Sequence, residues 1–221
     1  KLNPVSWFGK KNNTKEAPAP VEVVKPTPLP ETKPIVVAVS ANVTPLPPKP
    51  VIARYKYLSP GKPSPGNAQS AAQFVDQGTA ARRQSHFADA ILAYRNALLS
   101  DPANFDAAFL LGLTEQDLAD HASALPFFEQ ALAINPKSTD ARYAFAWSLQ
   151  KAKYSQDAAN ELEKVLEQSP TDPKANLLLA TIYAQNLSQP KLARDHYRRV
   201  LEADPHHPQA TAIRFWLAAN P

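Results

Sequence analysis

Histidine is the residue type in this chain that most invites a chemical role, because imidazole binds metals and titrates near neutral pH. The five histidines are spread along the chain, at His86, His121, His196, His206 and His207. Only the last two are adjacent, and adjacent residues cannot share the i, i+4 spacing of a helical metal pair. We therefore predict no metal site.

Enzyme chemistry is equally poorly supported by the sequence. It contains no phosphate-binding loop, no nucleophile motif and no pair of carboxylates at catalytic spacing. The chain has no cysteine, which excludes a disulfide or a thiolate metal site. We predict no catalytic residue, no cofactor and no enzyme activity.

Four prolines carry more information, because they recur at nearly constant spacing. Pro102, Pro136, Pro170 and Pro205 are separated by 34, 34 and 35 residues. Before each proline, an alanine is followed by a large residue four positions later and a small or β-branched one three positions after that. The four phrases are Ala90-x-x-x-Tyr94-x-x-Ala97, Ala124-x-x-x-Phe128-x-x-Ala131, Ala158-x-x-x-Leu162-x-x-Val165 and Ala193-x-x-x-Tyr197-x-x-Val200. Self-similarity at this period indicates stacked helical hairpins.

This period, with its small, aromatic and proline landmarks, resembles the tetratricopeptide repeat. The resemblance covers about residues 69–219. In the first two repeats, Gly78 and Gly112 occupy the first-helix position at which the family has a small residue. It implies an all-α superhelical solenoid of four hairpins over residues 67–207, closed by a capping helix within 208–221. Aligned on the prolines, the repeats start at Ala71, Phe105, Thr139 and Pro173.

Residues 1–66 differ from the rest in composition and charge. They hold 14 of the 23 prolines and carry ten Lys or Arg against three Glu, a net +7, whereas the rest of the chain carries 14 against 17, a net −3. Proline prevents helix formation, so we expect an extended arm with two short strand-like segments, 35–39 and 51–57. The expected arm contacts are Trp7, Phe8, Ile35, Val37, Val39, Val51, Tyr55 and Tyr57.

The partner classes follow in part from composition. Lysines of the arm are spread out and interrupted by proline, so we do not expect nucleic acid. No stretch reaches the roughly 18 apolar residues of a membrane span. Trp7 and Phe8, followed by Lys10 and Lys11, suit either an interfacial membrane anchor or a plug into a neighbouring subunit.

The resemblance also implies a ligand groove on the concave face, which the first helices of the hairpins build. An apolar stripe would be flanked by basic residues, and the expected set is Phe109, Leu113, Tyr143, Trp147, Leu177, Arg82, Lys151 and Lys174. Aromatic side chains of this kind are typical of binding hot spots. Burial of Tyr143 and Trp147 against the superhelical turn remains the alternative. The Lys/Asn carboxylate clamp of some family members is not reproduced.

Two functions remain open at this point. The favoured one is an exported bacterial structural protein whose arm docks on neighbouring copies and builds a homopolymer or extracellular fibre. The alternative is an accessory subunit or adaptor of a cell-envelope complex that binds a client peptide in the groove. The absence of cysteine and methionine suits an exposed location. Asn12, Asn42 and Asn186 match the glycosylation sequon, a short triplet that often occurs by chance.

Overall fold

A computed structural model describes residues 53–221, all within one compact unit, Pro48–Pro221. Nine α-helices follow one another in this part of the chain, which contains no strand. They are α1 (Ala68–Arg83), α2 (Phe87–Ser100), α3 (Phe105–Asp117), α4 (His121–Ile134), α5 (Thr139–Lys151), α6 (Ser155–Gln168), α7 (Pro173–Thr181), α8 (Pro190–Ala203) and α9 (Ala210–Ala219). The prediction of an all-α solenoid is confirmed.

The helices pair as four hairpins, α1–α2, α3–α4, α5–α6 and α7–α8, and each hairpin packs on the next. Local sequence marks where the first helices begin. Asn67, Asn104, Ser138 and Asp172 each accept a hydrogen bond from the backbone N–H three residues later, which satisfies an otherwise unpaired donor. The first helices of all four hairpins therefore have a side-chain cap.

The turns inside the hairpins repeat the period of the sequence. Ser85, Ala119, Lys153 and Ser188 have φ between 53° and 72°, in the left-handed region. In the first three turns the next residue returns its N–H to a carbonyl five residues back, as in His86 to Ala81 at 2.9 Å. This is the Schellman arrangement, which terminates the first helix and starts the second without a glycine.

Close packing within a hairpin depends on glycine at two positions. A Cβ atom on Gly78 would lie 2.6 Å from the Tyr94 ring, and one on Gly112 would lie 2.7 Å from the Phe128 ring. Both rings are fully buried, so neither can swing away into solvent. The two glycines therefore set the distance between the helices of the first two hairpins.

The fourth repeat is one residue longer than the others, and the structure shows where that residue goes. After α7 the chain makes a π-helical turn, Ile182–Asn186, in which the Leu187 N–H reaches the Ile182 carbonyl at 3.0 Å. A π-turn absorbs an extra residue without ending the helix. The extra residue is thus accommodated in this π-helical turn, at the end of the first helix. Asn186, a candidate glycan acceptor, is exposed.

Part of the arm is also described, and it differs from the expected strand. Residues 53–57 form no strand, and the Tyr55 N–H and hydroxyl donate to the side chains of Asp157 and Glu129 on two helices. The Tyr55 and Tyr57 rings nevertheless lie on the same side of the chain, with their centroids 5.2 Å apart. The predictions for Trp7, Phe8, Ile35, Val37, Val39, Val51, Asn12 and Asn42 lie outside the described residues.

Candidate functional site

The first helices of the second and third hairpins form an apolar cavity of about 410 Å³. We call it the first-helix groove, and its lining residues are Phe109, Leu113, Gln116, Asp140, Tyr143, Ala144 and Trp147. The four large side chains in it are each only partly buried. Four of the eight residues predicted from sequence are thus brought together around one cavity.

Helix periodicity explains why α5 can serve both the groove and the core. Tyr143 and Trp147 are four residues apart and therefore lie on one face of the helix. Phe145 and Leu149 are displaced from them by two residues and are almost fully buried. Burial raises the pKa of Tyr143, and nearby Asp172 adds to the effect, so the phenol in the groove stays protonated.

A polar side chain fixes the distance between the two walls of the groove. Gln116 on α3 donates its Nε2 group to the Ala144 carbonyl at 2.8 Å and to Ser148 Oγ at 2.6 Å. Both acceptors belong to α5, and Ser148 is fully buried. Two part-buried hydrogen bonds from one side chain favour one spacing of the helices.

A lysine and a histidine lie against Trp147, one of the residues that line the groove. Lys151 Nζ lies 5.2 Å from the centroid of the Trp147 ring, within cation–π range. The His121 ring meets the same indole edge-on, with centroids 4.8 Å apart. Burial lowers the pKa of His121, and the Lys151 charge lowers it further against the opposing effect of Asp120. The neutral imidazole is therefore the favoured form.

The remaining predicted residues fall into neighbouring cavities. Lys174 and Leu177 line a cavity of about 240 Å³ that also contacts Tyr143 and Trp147, so it adjoins the first-helix groove. Arg82 lies in a separate cavity of about 610 Å³ and pairs with Asp117 at 2.7 Å. The three basic side chains of the predicted set therefore lie apart: Lys151 is over Trp147, Lys174 lines the adjoining cavity and Arg82 lines the separate one.

The architecture and these landmarks are matched by known proteins. Family models of the tetratricopeptide repeat match residues 75–139 and 152–212. The chain belongs to the tetratricopeptide repeat family. Protein O-mannosyl-transferase Tmtc3 of Drosophila melanogaster is 29% identical over 112 residues, which are 51% of this chain and 12% of that protein. The chain thus spans about an eighth of that relative.

Two solved structures illustrate the shared fold. MamA from Desulfovibrio magneticus RS-1, residues 41 to the end, has a TM-score of 0.64 and 19% identity, covering 69% of this chain and 86% of that one. YrrB, described as a TPR protein with an unusual peptide-binding site, has a TM-score of 0.61 and 21% identity, covering 67% and 76%. At these identities the likeness concerns the fold alone.

Reasoning from the sequence missed three buried carboxylates of the repeats. Glu129, Asp157 and Glu161 lie on the second helices and are buried, and all three contact the arm. A signal did exist, because Asp157 and Glu161 precede Val165 at intervals of four and so share its buried helix face. Acidic residues on a buried helix face indicate that hydrogen-bond donors contact them, but do not indicate which residues supply the donors.

Further observations limit the chemistry of the site. Within residues 53–221 no three His, Asp or Glu side chains are grouped so that they could hold a metal ion. Among the helices of that region, none combines the length and apolar character needed to cross a membrane. The repeats present aromatic side chains on the first-helix face and buried carboxylates on the second-helix face.

Proposed function

We propose that this chain, a tetratricopeptide repeat scaffold for protein–protein interaction, binds an extended peptide in the first-helix groove, without enzyme activity. The observation that supports this proposal is the cavity of about 410 Å³ between Phe109, Leu113, Tyr143 and Trp147. Cavities of this size, apolar with a few polar groups, are typical of ligand sites.

The charges around the groove suggest the chemistry of the client. The cavity itself would take a large apolar side chain, whereas Lys174 lines the adjoining cavity and Lys151 lies over Trp147. An acidic residue near such an apolar anchor would meet these lysines. We therefore propose a client segment with an aromatic or aliphatic anchor next to an acidic residue.

Selection from a random peptide library displayed on phage tests this proposal with the full chain as bait. We expect enriched peptides to share the anchor, and W147A to weaken their binding about tenfold or more, as hot-spot truncations do. Leu99 lies on a second helix and is 81% exposed, so L99A is the matched control and should bind normally. Enriched peptides that bind W147A as tightly as the unmodified protein would contradict the proposal.

Self-association through the arm is the second candidate, because one described piece of the arm already fits the repeats. Tyr55 and Tyr57 pack on Phe145, and Arg54 pairs with Asp157. In this proposal the preceding part of the arm contacts neighbouring copies, builds a homopolymer and works in the cell envelope or outside the cell. Contacts of this heterologous kind generate rings or filaments.

Sedimentation velocity of the full chain, compared with a chain lacking residues 1–52, tests this second candidate. Large particles formed by the full chain and lost on deletion are expected if the arm connects copies. If both proteins sediment as monomers, self-association is contradicted and the peptide-binding proposal still stands.

A further inference from the structure

The second-helix face carries two carboxylates whose partners are unusual. Glu129 on α4 is 6% exposed and Asp157 on α6 is fully buried. Within residues 53–221, every hydrogen bond that their side chains accept comes from residues 54–59. A buried carboxylate is costly unless it is paired and hydrogen-bonded. The repeats supply these acids and the arm supplies their partners.

Asp157 is held by a side chain and a backbone group together. The Arg54 guanidinium contacts both carboxylate oxygens, with its shortest bond of 2.8 Å to Oδ1, and the Tyr55 N–H donates to Oδ2 at 2.8 Å. Arginine suits this position because its planar fork matches a carboxylate, whereas a lysine offers a point charge. We therefore expect this contact to favour arginine over lysine.

Glu129 is held by a turn of the backbone and by a phenol. The Tyr55 hydroxyl donates to Oε1 at 2.6 Å, and the Leu58 and Ser59 N–H groups donate at 3.2 and 2.8 Å. Ser59 has φ of 47°, a left-handed conformation that directs successive N–H groups at one anion. Leu58 contributes only this backbone contact, since its side chain is mostly exposed.

The two tyrosines supply the apolar part of the contact. Their rings lie 5.2 Å apart, and each lies about 6 Å from the Phe145 ring in an edge-on arrangement. The Tyr57 hydroxyl also donates to Glu161 at 3.3 Å. Burial raises the pKa of both phenols, so the hydroxyls stay protonated and can donate. Lys56, between them, is exposed.

The path of the chain explains why this segment reaches its own repeats. Gly66 donates its N–H to Asp101 Oδ1 at 2.8 Å, and the Asn67 N–H bonds the Ser100 carbonyl at 2.7 Å. Residues 60–65, three of them prolines, connect this anchor with Ser59. A short linker between two contacts raises the effective concentration of the second to the millimolar range.

We propose that the second-helix face between α4 and α6 is a binding site for a peptide of the form Arg-Tyr-x-Tyr, and that residues 54–59 of the same chain occupy it. The site is separate from the first-helix groove and uses different residues. Its role is to fasten the arm to the outside of the repeats, which leaves the groove open. Its specificity comes from one guanidinium, two phenols and a carboxylate-binding turn.

The experiment empties the site in the full chain and then refills it. The variant R54A/Y55A/Y57A changes no helix residue, and the probe is a fluorescein-labelled peptide of residues 51–60, followed by fluorescence anisotropy. We expect one peptide to bind per chain of this variant, and about tenfold or more weaker binding to the unmodified protein, whose own segment competes. Adding D157N to the variant should weaken binding about tenfold, because a charge-assisted pair is lost.

Two controls test whether binding depends on this site and on the order of residues in the peptide. K56A changes an exposed residue of the same segment and should behave like the unmodified protein, and a scrambled peptide should not bind. Peptide binding that is equal for the variant and the unmodified protein, or insensitive to D157N, overturns the proposal. Sedimentation velocity decides whether the segment in the site comes from the same chain or from another copy. If the unmodified protein is a dimer and the variant is a monomer, occupancy within one chain is overturned.

Hydrogen exchange gives a second measurement that needs no added peptide. In the unmodified protein and in K56A, the Leu58 and Ser59 amides should exchange at least about tenfold more slowly than in R54A/Y55A/Y57A. Exchange at the rate of an unstructured chain in the unmodified protein would overturn the proposal. Neither result depends on the first-helix groove, so failure here leaves the proposed client binding untouched.

Discussion

The two faces of the repeats differ in polarity and in what covers them. The first-helix groove is apolar and open, and its large side chains remain partly buried without needing a partner. The second-helix face is acidic and filled, and its carboxylates obtain hydrogen bonds from residues 54–59. Apolar surface tolerates being left open, whereas a buried charge does not. The comparison therefore separates an open apolar cavity, which we propose binds a client, from an acidic site whose hydrogen-bond partners belong to the same chain.

The largest expected effect distinguishes neighbouring residues of α5. Phe145 is 1% exposed and contacts both arm tyrosines, so F145A should lower the free energy of unfolding by about 3–5 kcal/mol. Trp147, on the groove side, is only partly buried, and W147A should cost about 1 kcal/mol. Urea unfolding followed by circular dichroism measures both. Equal losses would mean that Trp147 is a core residue and the groove is not available for binding.

Overpacking the second hairpin should disturb both faces at once. Gly112 lies on α3, against the Phe128 ring of α4, and any side chain there must displace that buried ring. We expect G112L to lower the free energy of unfolding by about 1–3 kcal/mol. A Cβ on Gly61 would meet nothing within 4 Å, so G61A is a control that should unfold like the unmodified protein. An unchanged melting temperature for G112L would contradict the close contact between α3 and α4.

The repeats could be predicted from sequence because their information is local and periodic. The 34-residue spacing of prolines predicted the hairpins, and the expected starts at Phe105, Thr139 and Pro173 coincide with the first residues of α3, α5 and α7. The same alignment placed Phe109 and Trp147 on first helices, where the cavity is found. That these residues bind a client remains a prediction.

The second-helix site could not be predicted in the same way, because its contacts join distant positions. Tyr55 and Glu129 are separated by 74 residues, and Arg54 and Asp157 by 103. No period relates the arm to the repeats, so nothing in the spacing sets their register. A strand was expected over residues 51–57, but the described residues 53–57 form none, and the buried Asp157 carboxylate accepts the Tyr55 N–H that a strand would use.

A double-mutant cycle measures how strongly the acidic face depends on the arm. D157N should destabilise the unmodified protein but have a smaller effect in R54A/Y55A/Y57A, so that the effects of the two changes do not add. The coupling is modest because the Arg54 side chain is 60% exposed and solvent screens its charge. Urea unfolding of the four proteins gives the value. Zero coupling would mean that Asp157 acts only on the first turn of α6, where an acid favours the helix dipole.

The smallest expected effect is a pH dependence at the edge of the groove. His121 meets the Trp147 ring, and burial together with Lys151 holds its pKa below the ordinary value of about 6.5, with Asp120 opposing. The unfolded chain then binds more protons than the folded chain just below that value, so stability should fall as the pH drops from 7.5 to 5.5. His196, whose pKa is also lowered by burial, acts in the same direction. H121Q should therefore flatten this decline in part, and H121Q/H196Q should flatten it further, in urea unfolding at the two pH values. A decline as steep in H121Q as in the unmodified protein would show that the imidazole is solvated in both states, and that the Trp147 edge of the groove is more open than its contacts indicate.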